Sequence, residues 1–152
     1  MGRDQLEDRT SLSRIRRSIR ADLNAAGVEP AIAFDCLVAV TEACTNALVH
    51  GHCAGGGGTP EVTWDVEGAV ARFRIRDYST RGWSKAAHPS RDPELERARG
   101  NPLGDRVGGF GIELMQGLMD EVDIAARADG TVVTMLKRLR AGPRDRDAAR
   151  RH

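Results

Sequence analysis

The segment from Pro30 to Gly51, PAIAFDCLVAVTEACTNALVHG, constrains this fold more than any other. Proline suits the first turn of a helix, where its missing N–H is not needed, and glycine suits the stop, so the whole segment reads as one long helix. At roughly 100° per residue, Ala33, Leu37, Val40, Cys44 and Leu48 gather on one side, while Glu42, Asn46 and His50 form a stripe on the other. A helix this apolar needs a second layer to cover it. By spacing alone, the polar stripe reads as its solvated face.

The flanking segments supply that second layer. Leu12, Ile15, Ile19 and Leu23 recur at helical spacing among Arg14, Arg16, Arg17 and Arg20, so residues 10–25 form an amphipathic helix that Gly27 ends. The glycine-rich run from Ala54 to Pro60 can hold no periodicity and reads as a loop. Val62, Trp64 and Val66, then Ala69, Ala71, Phe73 and Ile75, alternate with polar residues across a turn at Glu67 and Gly68, which is a hairpin. A long polar stretch with Pro89, Pro93 and Pro102 follows, from Tyr78 to about Val107, and reads as a lid or binding loop.

Gly108 to Gly111 then introduces an apolar helix, and residues 121–126 and 131–139 make a second hairpin across Ala128-Asp129-Gly130. Two helices, a hairpin, a helix and a hairpin suit an α+β two-layer sandwich, its sheet mixed but mostly antiparallel with helices on one face. A parallel βαβ series is disfavoured. The expected organisation is a flexible N-terminus over 1–9, one domain over 10–140 and a disordered, charged tail over 141–152.

Charge and cysteine usage exclude several function classes. The 23 Lys and Arg nearly cancel the 22 Asp and Glu and are interspersed with them, which leaves no footprint for direct nucleic-acid binding. No apolar run reads as a membrane span and no signal-peptide stretch opens the chain, so a cytoplasmic protein without membrane contact is expected. Cys36, Cys44 and Cys53 are odd in number and lack CxxC spacing, which argues against a disulfide framework and a zinc site.

Two further features carry chemistry. Asp77 shares strand parity with Ala71, Phe73 and Ile75, so its carboxylate points toward the apolar face. There it needs a donor, either an internal arginine or the amino group of a base; alone, a strand-end Asp is more often a turn residue. The Gly108-Gly109-Phe110-Gly111 cluster ahead of a helix offers backbone N–H groups and a positive dipole end to a phosphate, or is simply a flexible connection.

The order of these features resembles that of a known family. Val40-Thr41-Glu42-Ala43-Cys44-Thr45-Asn46-Ala47-Leu48-Val49-His50-Gly51 looks like the N box of the GHKL (histidine-kinase-like) ATPases, in the version found in bacterial anti-sigma-factor serine/threonine kinases. Asp77 to Gly82 occupies the place of the first glycine box, Gly108 to Gly111 with Ile112, Leu114 and Met115 resembles the second, and Asp129-Gly130-Thr131-Val132-Val133 resembles the closing box. The likeness covers roughly residues 10–139.

The resemblance implies that Asn46 holds Mg²⁺, that Glu42 is the general base and that His50 belongs to the same nucleotide-binding box. It further implies that Asp77 accepts from the adenine amino group, that Gly82, Gly108, Gly109 and Gly111 belong to the phosphate boxes, and that Thr131 lines the base pocket. ATP and Mg²⁺ are the implied cofactors. A sigma factor, an anti-sigma-factor antagonist as phosphorylation substrate, and a second copy of the chain in a homodimer are the implied partners.

One stretch departs from the family pattern, Asp-x-Gly-x-Gly. Asp77 is followed by Tyr78, Ser79, Thr80, Arg81 and Gly82, so Ser79 and Arg81 replace the glycines or Gly82 has shifted by one residue. Glycine permits close backbone approach, and its loss favours the alternative of a sigma-binding module with a degenerate nucleotide site and no kinase activity.

Overall fold

The computed structural model describes residues 1–51, 58–78 and 106–139, with the side chains at 50 and at 106–110 outside that description. In chain order its elements are β1 (Gly2–Gln5), α1 (Arg9–Ala25), α2 (Pro30–Gly51), β2 (Glu61–Glu67), β3 (Val70–Arg76), α3 (Arg106–Leu118), β4 (Glu121–Arg127) and β5 (Gly130–Arg138). The strands form one sheet in the order β1-β2-β3-β5-β4. Every pairing among these described strands is antiparallel, in keeping with the mostly antiparallel sheet expected.

Alternation decides which face is covered. Val62, Trp64, Ala71, Phe73, Ile75, Val133 and Met135 point to one side and are buried under the helices, whereas Arg72, Arg74 and Thr134 point to the other and are exposed. The pairing of β3 with β5 sets Phe73 opposite Met135 and Ile75 opposite Val133. From α1, Ile15, Ile19 and Leu23 join this core, and from α2, Cys36, Ala39, Val40, Ala43 and Cys44 do so. Burying a side chain the size of Phe73 contributes about 1.5–3 kcal/mol.

Local sequence sets the ends of α1. Asp8 accepts from the Ser11 N–H at 2.8 Å while Ser11 Oγ accepts from the Asp8 N–H at 2.9 Å, a reciprocal capping box. At the other end Gly27 takes φ +69, and the N–H groups of Gly27 and Val28 donate to the carbonyls of Asn24 and Leu23. That is a Schellman stop, which needs a residue at ease with positive φ.

The N-terminus differs from expectation. Residues 2–5 are the edge strand of the sheet, Leu6 is wholly buried, and Arg14 donates to Asp4 at 2.8 and 2.9 Å. Gly2 admits the Trp64 indole, because a methyl group there would lie 2.0 Å from the ring. The short alternation in GRDQ gave no hydrophobic signal for a strand, since pairing with β2 and cover from α1 arise only in the folded chain.

Two other expectations are refined. The stretch Pro30–Val49 of α2 has a mean hydropathy of 1.5 and does reach membrane-spanning length by composition. Its apolar side is spent on α1, α3 and the sheet, as befits the central helix of a core. The second refinement concerns α3, which begins at Arg106, so Gly108 to Gly111 form its first turns and not a loop ahead of it. At its far end, Lys137 of β5 donates to the Leu118 carbonyl and reaches Asp35 of α2 at 3.4 Å, fastening α3 and α2 to the sheet. Residues 54–57 of the loop expected from Ala54 to Pro60, residues 79–105 of the long loop expected from Tyr78 to about Val107, and the tail expected over 141–152 lie outside the described residues.

Candidate functional site

Helix α2 crosses β3 and β5 so that one end of its polar stripe meets the ends of those strands. A small pocket forms there, lined by Ala43, Asn46, Ala47, Ile75, Asp77, Thr131 and Val133. Alanines at 43 and 47 leave the space, and Ile75 and Val133 make an apolar wall between three polar residues. Asn46, Asp77 and Thr131, far apart in sequence, are thus brought together as expected.

Asp77 is held on both sides by one residue. Its N–H donates to the Thr131 carbonyl at 2.9 Å, continuing the β3–β5 ladder by one step, and its Oδ1 accepts from the Thr131 N–H at 3.1 Å. The carboxylate is therefore aimed by the backbone of β5. Thr131 itself is nearly inaccessible.

Glu42 and Asn46 face α3. A methyl group at Gly111 would lie 2.9 Å from Glu42 Oε1 and 3.3 Å from Asn46 Nδ2, so glycine brings α3 close to the stripe and a larger residue would displace the end of the Glu42 side chain. Desolvation in this seat raises the Glu42 carboxyl above the usual carboxylate range. Asn46 Nδ2 is buried with no hydrogen-bond partner among the described residues. A buried amide left without a partner costs on the order of 1–3 kcal/mol, and such groups are rare enough to point to a ligand.

The remaining expected residues fall as follows. Gly108 and Gly109 lie within the first turn of α3, where backbone N–H groups lack intrahelical partners. The Gly111 N–H falls deeper in the helix, so its contribution is the space it leaves for Glu42. His50 lies in the last turn of α2 with its side chain outside the described set, and Gly82 lies outside the described residues. Burial pushes the Cys36 and Cys44 thiols up to about 12, consistent with core cysteines, and Cys53 is outside the described residues. Among the described residues no three His, Cys, Asp or Glu converge on a metal site.

Sequence reasoning missed Gly130. It reads as the glycine of an Asp-Gly hairpin turn, and nothing local shows that it also abuts Asp77, 53 residues earlier in the chain. The one available signal was its place beside Thr131 in the closing motif.

Comparison with known proteins gives a consistent picture. The histidine kinase-like ATPase domain model matches residues 6–137. The anti-sigma F factor of Anoxybacillus flavithermus is 32% identical over 105 residues, and that of Bacillus thuringiensis 30% over 105 residues. Each alignment takes in 66% of this chain, which spans 65% of the length of those relatives. The RsbU and RsbW domains of Rv1364c from Mycobacterium tuberculosis superpose with a TM-score of 0.61 at 21% identity, over 91% of this chain and 31% of that one. The histidine kinase domain of the blue-light activated kinase EL346 from Erythrobacter litoralis superposes with a TM-score of 0.54 at 18% identity, over 89% of this chain and 61% of that one.

Proposed function

Because the chain belongs to the histidine kinase-like ATPase domain family, we propose that it is an anti-sigma factor and ATP-dependent serine/threonine protein kinase. It holds a sigma factor and phosphorylates an anti-sigma-factor antagonist, so that the two partners exchange with the state of the antagonist. The relatives named as anti-sigma F factors support the sigma-binding half of this reading. One observation carries the nucleotide half: an Asn46 Nδ2 that is buried without a partner among the described residues and a desolvated Glu42 lie one helical turn apart against Gly111.

These residues fit a magnesium–nucleotide complex. Mg²⁺ takes few protein oxygens and keeps waters and phosphate oxygens, so the Asn46 Oδ1 would suffice as its protein ligand, while the orphaned Nδ2 is a donor suited to a phosphate or water oxygen beside the ion. When bound, the ion neutralises charge on the transferring phosphoryl group. Glu42 receives the proton of the attacking serine or threonine hydroxyl, a task helped by a carboxyl raised toward working pH. Asp77, aimed by Thr131, accepts from the exocyclic amino group of adenine, Ile75 and Val133 flank the base, and Gly108 and Gly109 in the first turn of α3 offer the phosphates backbone N–H groups that have no intrahelical partner. Action in the cytoplasm and as a homodimer belong to the same proposal.

The test is transfer of labelled phosphate from ATP to a candidate antagonist. Wild type should label it, and Glu42→Ala should lower the rate by about 10²–10⁴-fold while still binding nucleotide. Equal labelling would remove Glu42 from the chemistry. The second reading, a nucleotide-independent sigma-binding module without kinase activity, is favoured by Ser79 and Arg81 in place of glycines after Asp77. Titration with Mg²⁺·ATP separates the two, since saturable binding that Asn46→Ala abolishes excludes the degenerate site.

A further inference from the structure

Each of the two hairpins of this sheet carries a glycine with positive φ, Gly68 within its turn and Gly130 as the first residue of β5 opposite Arg127, and the two glycines have different surroundings. Gly68, between β2 and β3, has φ +58 and nothing within 4 Å of where a side chain would begin. Gly130, at the start of β5, has φ +138, and a methyl group there would lie 2.0 Å from the Asp77 carbonyl oxygen, 2.9 Å from its carbon and 2.9 Å from Tyr78 Cα. All three are backbone atoms, which cannot swing aside as a flexible side chain can.

The close approach has a consequence for Asp77. The step that brings Gly130 onto the Asp77 carbonyl also brings the next N–H, that of Thr131, to 3.1 Å from Asp77 Oδ1, while the Thr131 carbonyl takes the Asp77 N–H at 2.9 Å. Any side chain at 130 would push β5 away from residue 77 and lengthen both bonds. Loosening the first removes one of the contacts that orient the carboxylate, and a hydrogen bond to a charged group weakens steeply with misalignment.

We infer that Gly130 is a positioning residue for nucleotide recognition: its missing side chain lets β5 close on Asp77 so that the Thr131 N–H aims the carboxylate at the amino group of a purine base. The inference rests on the reading of Asp77 as the adenine acceptor. It adds that discrimination for a 6-amino group is set by the start of β5 as well as by the carboxylate itself.

The test compares Mg²⁺·ATP with the Mg²⁺ complex of purine riboside triphosphate, which lacks the 6-amino group, by equilibrium titration of the full chain. Wild type should prefer ATP by about tenfold or more, the usual worth of a hydrogen bond to a charged group. Gly68→Ala places a side chain at positive φ in the other hairpin, where it meets nothing within 4 Å, and should keep that ratio. Gly130→Ala should bring it to within about twofold of unity, whatever happens to the shared part of the affinity. A Gly130→Ala protein that binds both ligands more weakly at the wild-type ratio overturns the inference and leaves the adenine reading standing. Wild type that does not distinguish the ligands removes the adenine reading first, and with it this one.

Should Gly130→Ala fail to fold, the Thr131 amide proton decides. In wild type it should resonate downfield and exchange slowly, and Asp77→Ala should move it upfield. An amide unaltered by Asp77→Ala contradicts the aiming contact.

Discussion

The two ends of the α2 layer differ in how far their polar groups are paired. Around α1, β1 and β2, the polar groups named are paired: Asp8 with Ser11, Asp4 with Arg14, and the Trp64 indole N–H with Asp22 at 2.7 Å. Around the junction of α2, α3, β3 and β5, Asn46 Nδ2 is buried without a partner among the described residues and Glu42 is partly desolvated. Both ends share one core, so the difference does not come from a shortage of packing. The first end is closed by bonds within the chain except at Arg16 Nε, which like Asn46 Nδ2 is buried without a hydrogen-bond partner among the described residues, and the second adds the desolvated Glu42 in a geometry that a ligand would complete.

The sharpest way to break this comparison is to remove volume at the finished end and polarity at the unfinished one. Ile19 is wholly buried in α1, and Ile19→Ala should cost about 2–5 kcal/mol of stability, read from the denaturant midpoint, with little change in the affinity of the remaining folded protein for Mg²⁺·ATP. Asn46→Leu should do the reverse. It replaces an orphaned amide by an apolar group of similar reach, so stability should hold or rise by about 1–3 kcal/mol while Mg²⁺·ATP binding is lost. A destabilised Asn46→Leu protein would mean that the amide is already satisfied, and the contrast between the ends would fail.

A smaller effect tests the finished end by itself. Ser11 Oγ accepts from the N–H groups of both Glu7 and Asp8 at 2.9 Å and donates to the Asp8 carbonyl, all at a buried position. Ser11→Ala should cost about 1 kcal/mol, measured as a shift in thermal midpoint, by exposing the start of α1 to fraying. No change in the ratio of ATP to purine riboside triphosphate binding should accompany it.

Much of this contrast was legible beforehand, for identifiable reasons. The helical spacing of Leu12, Ile15, Ile19 and Leu23 and the parity of Ala71, Phe73 and Ile75 are local, and all seven are buried. Glu42, Asn46, Asp77 and Thr131 were legible because their order matched a family, although spacing alone would have assigned Glu42 and Asn46 to solvent. What stayed hidden depends on contacts remote in sequence. Gly2 faces Trp64, Gly111 faces Glu42 and Gly130 faces Asp77, and in each case glycine is needed for a neighbour that no local window contains. Strand β1 was missed on the same ground, since its four residues carry no large apolar side chain and gain their place only by pairing with β2.

The smallest expected effect is the response of the two ends to pH, which should differ in sign. The Ser11 backbone N–H holds the Asp8 carboxyl below its usual 3.8, and the Arg14 guanidinium does the same for Asp4. A carboxyl lowered by folding adds stability above its unfolded value, and that stability is lost as pH falls through the folded value. Glu42 is displaced upward from 4.5 by desolvation, so its contribution is fully present below 4.5 and is lost as pH rises through the folded value. Stability of Glu42→Gln should therefore match wild type in acid and gain on it as pH rises from 4.5 toward neutrality. Asp8→Asn should be weaker than wild type at neutral pH and converge with it below 3.8. Denaturant melts of both variants across that range check the pair, and curves that run in the same sense would show that Glu42 is not desolvated by α3. The acid limb of kinase activity should lie correspondingly above the usual carboxylate range, because Glu42 must be ionised to take the proton from the attacking hydroxyl.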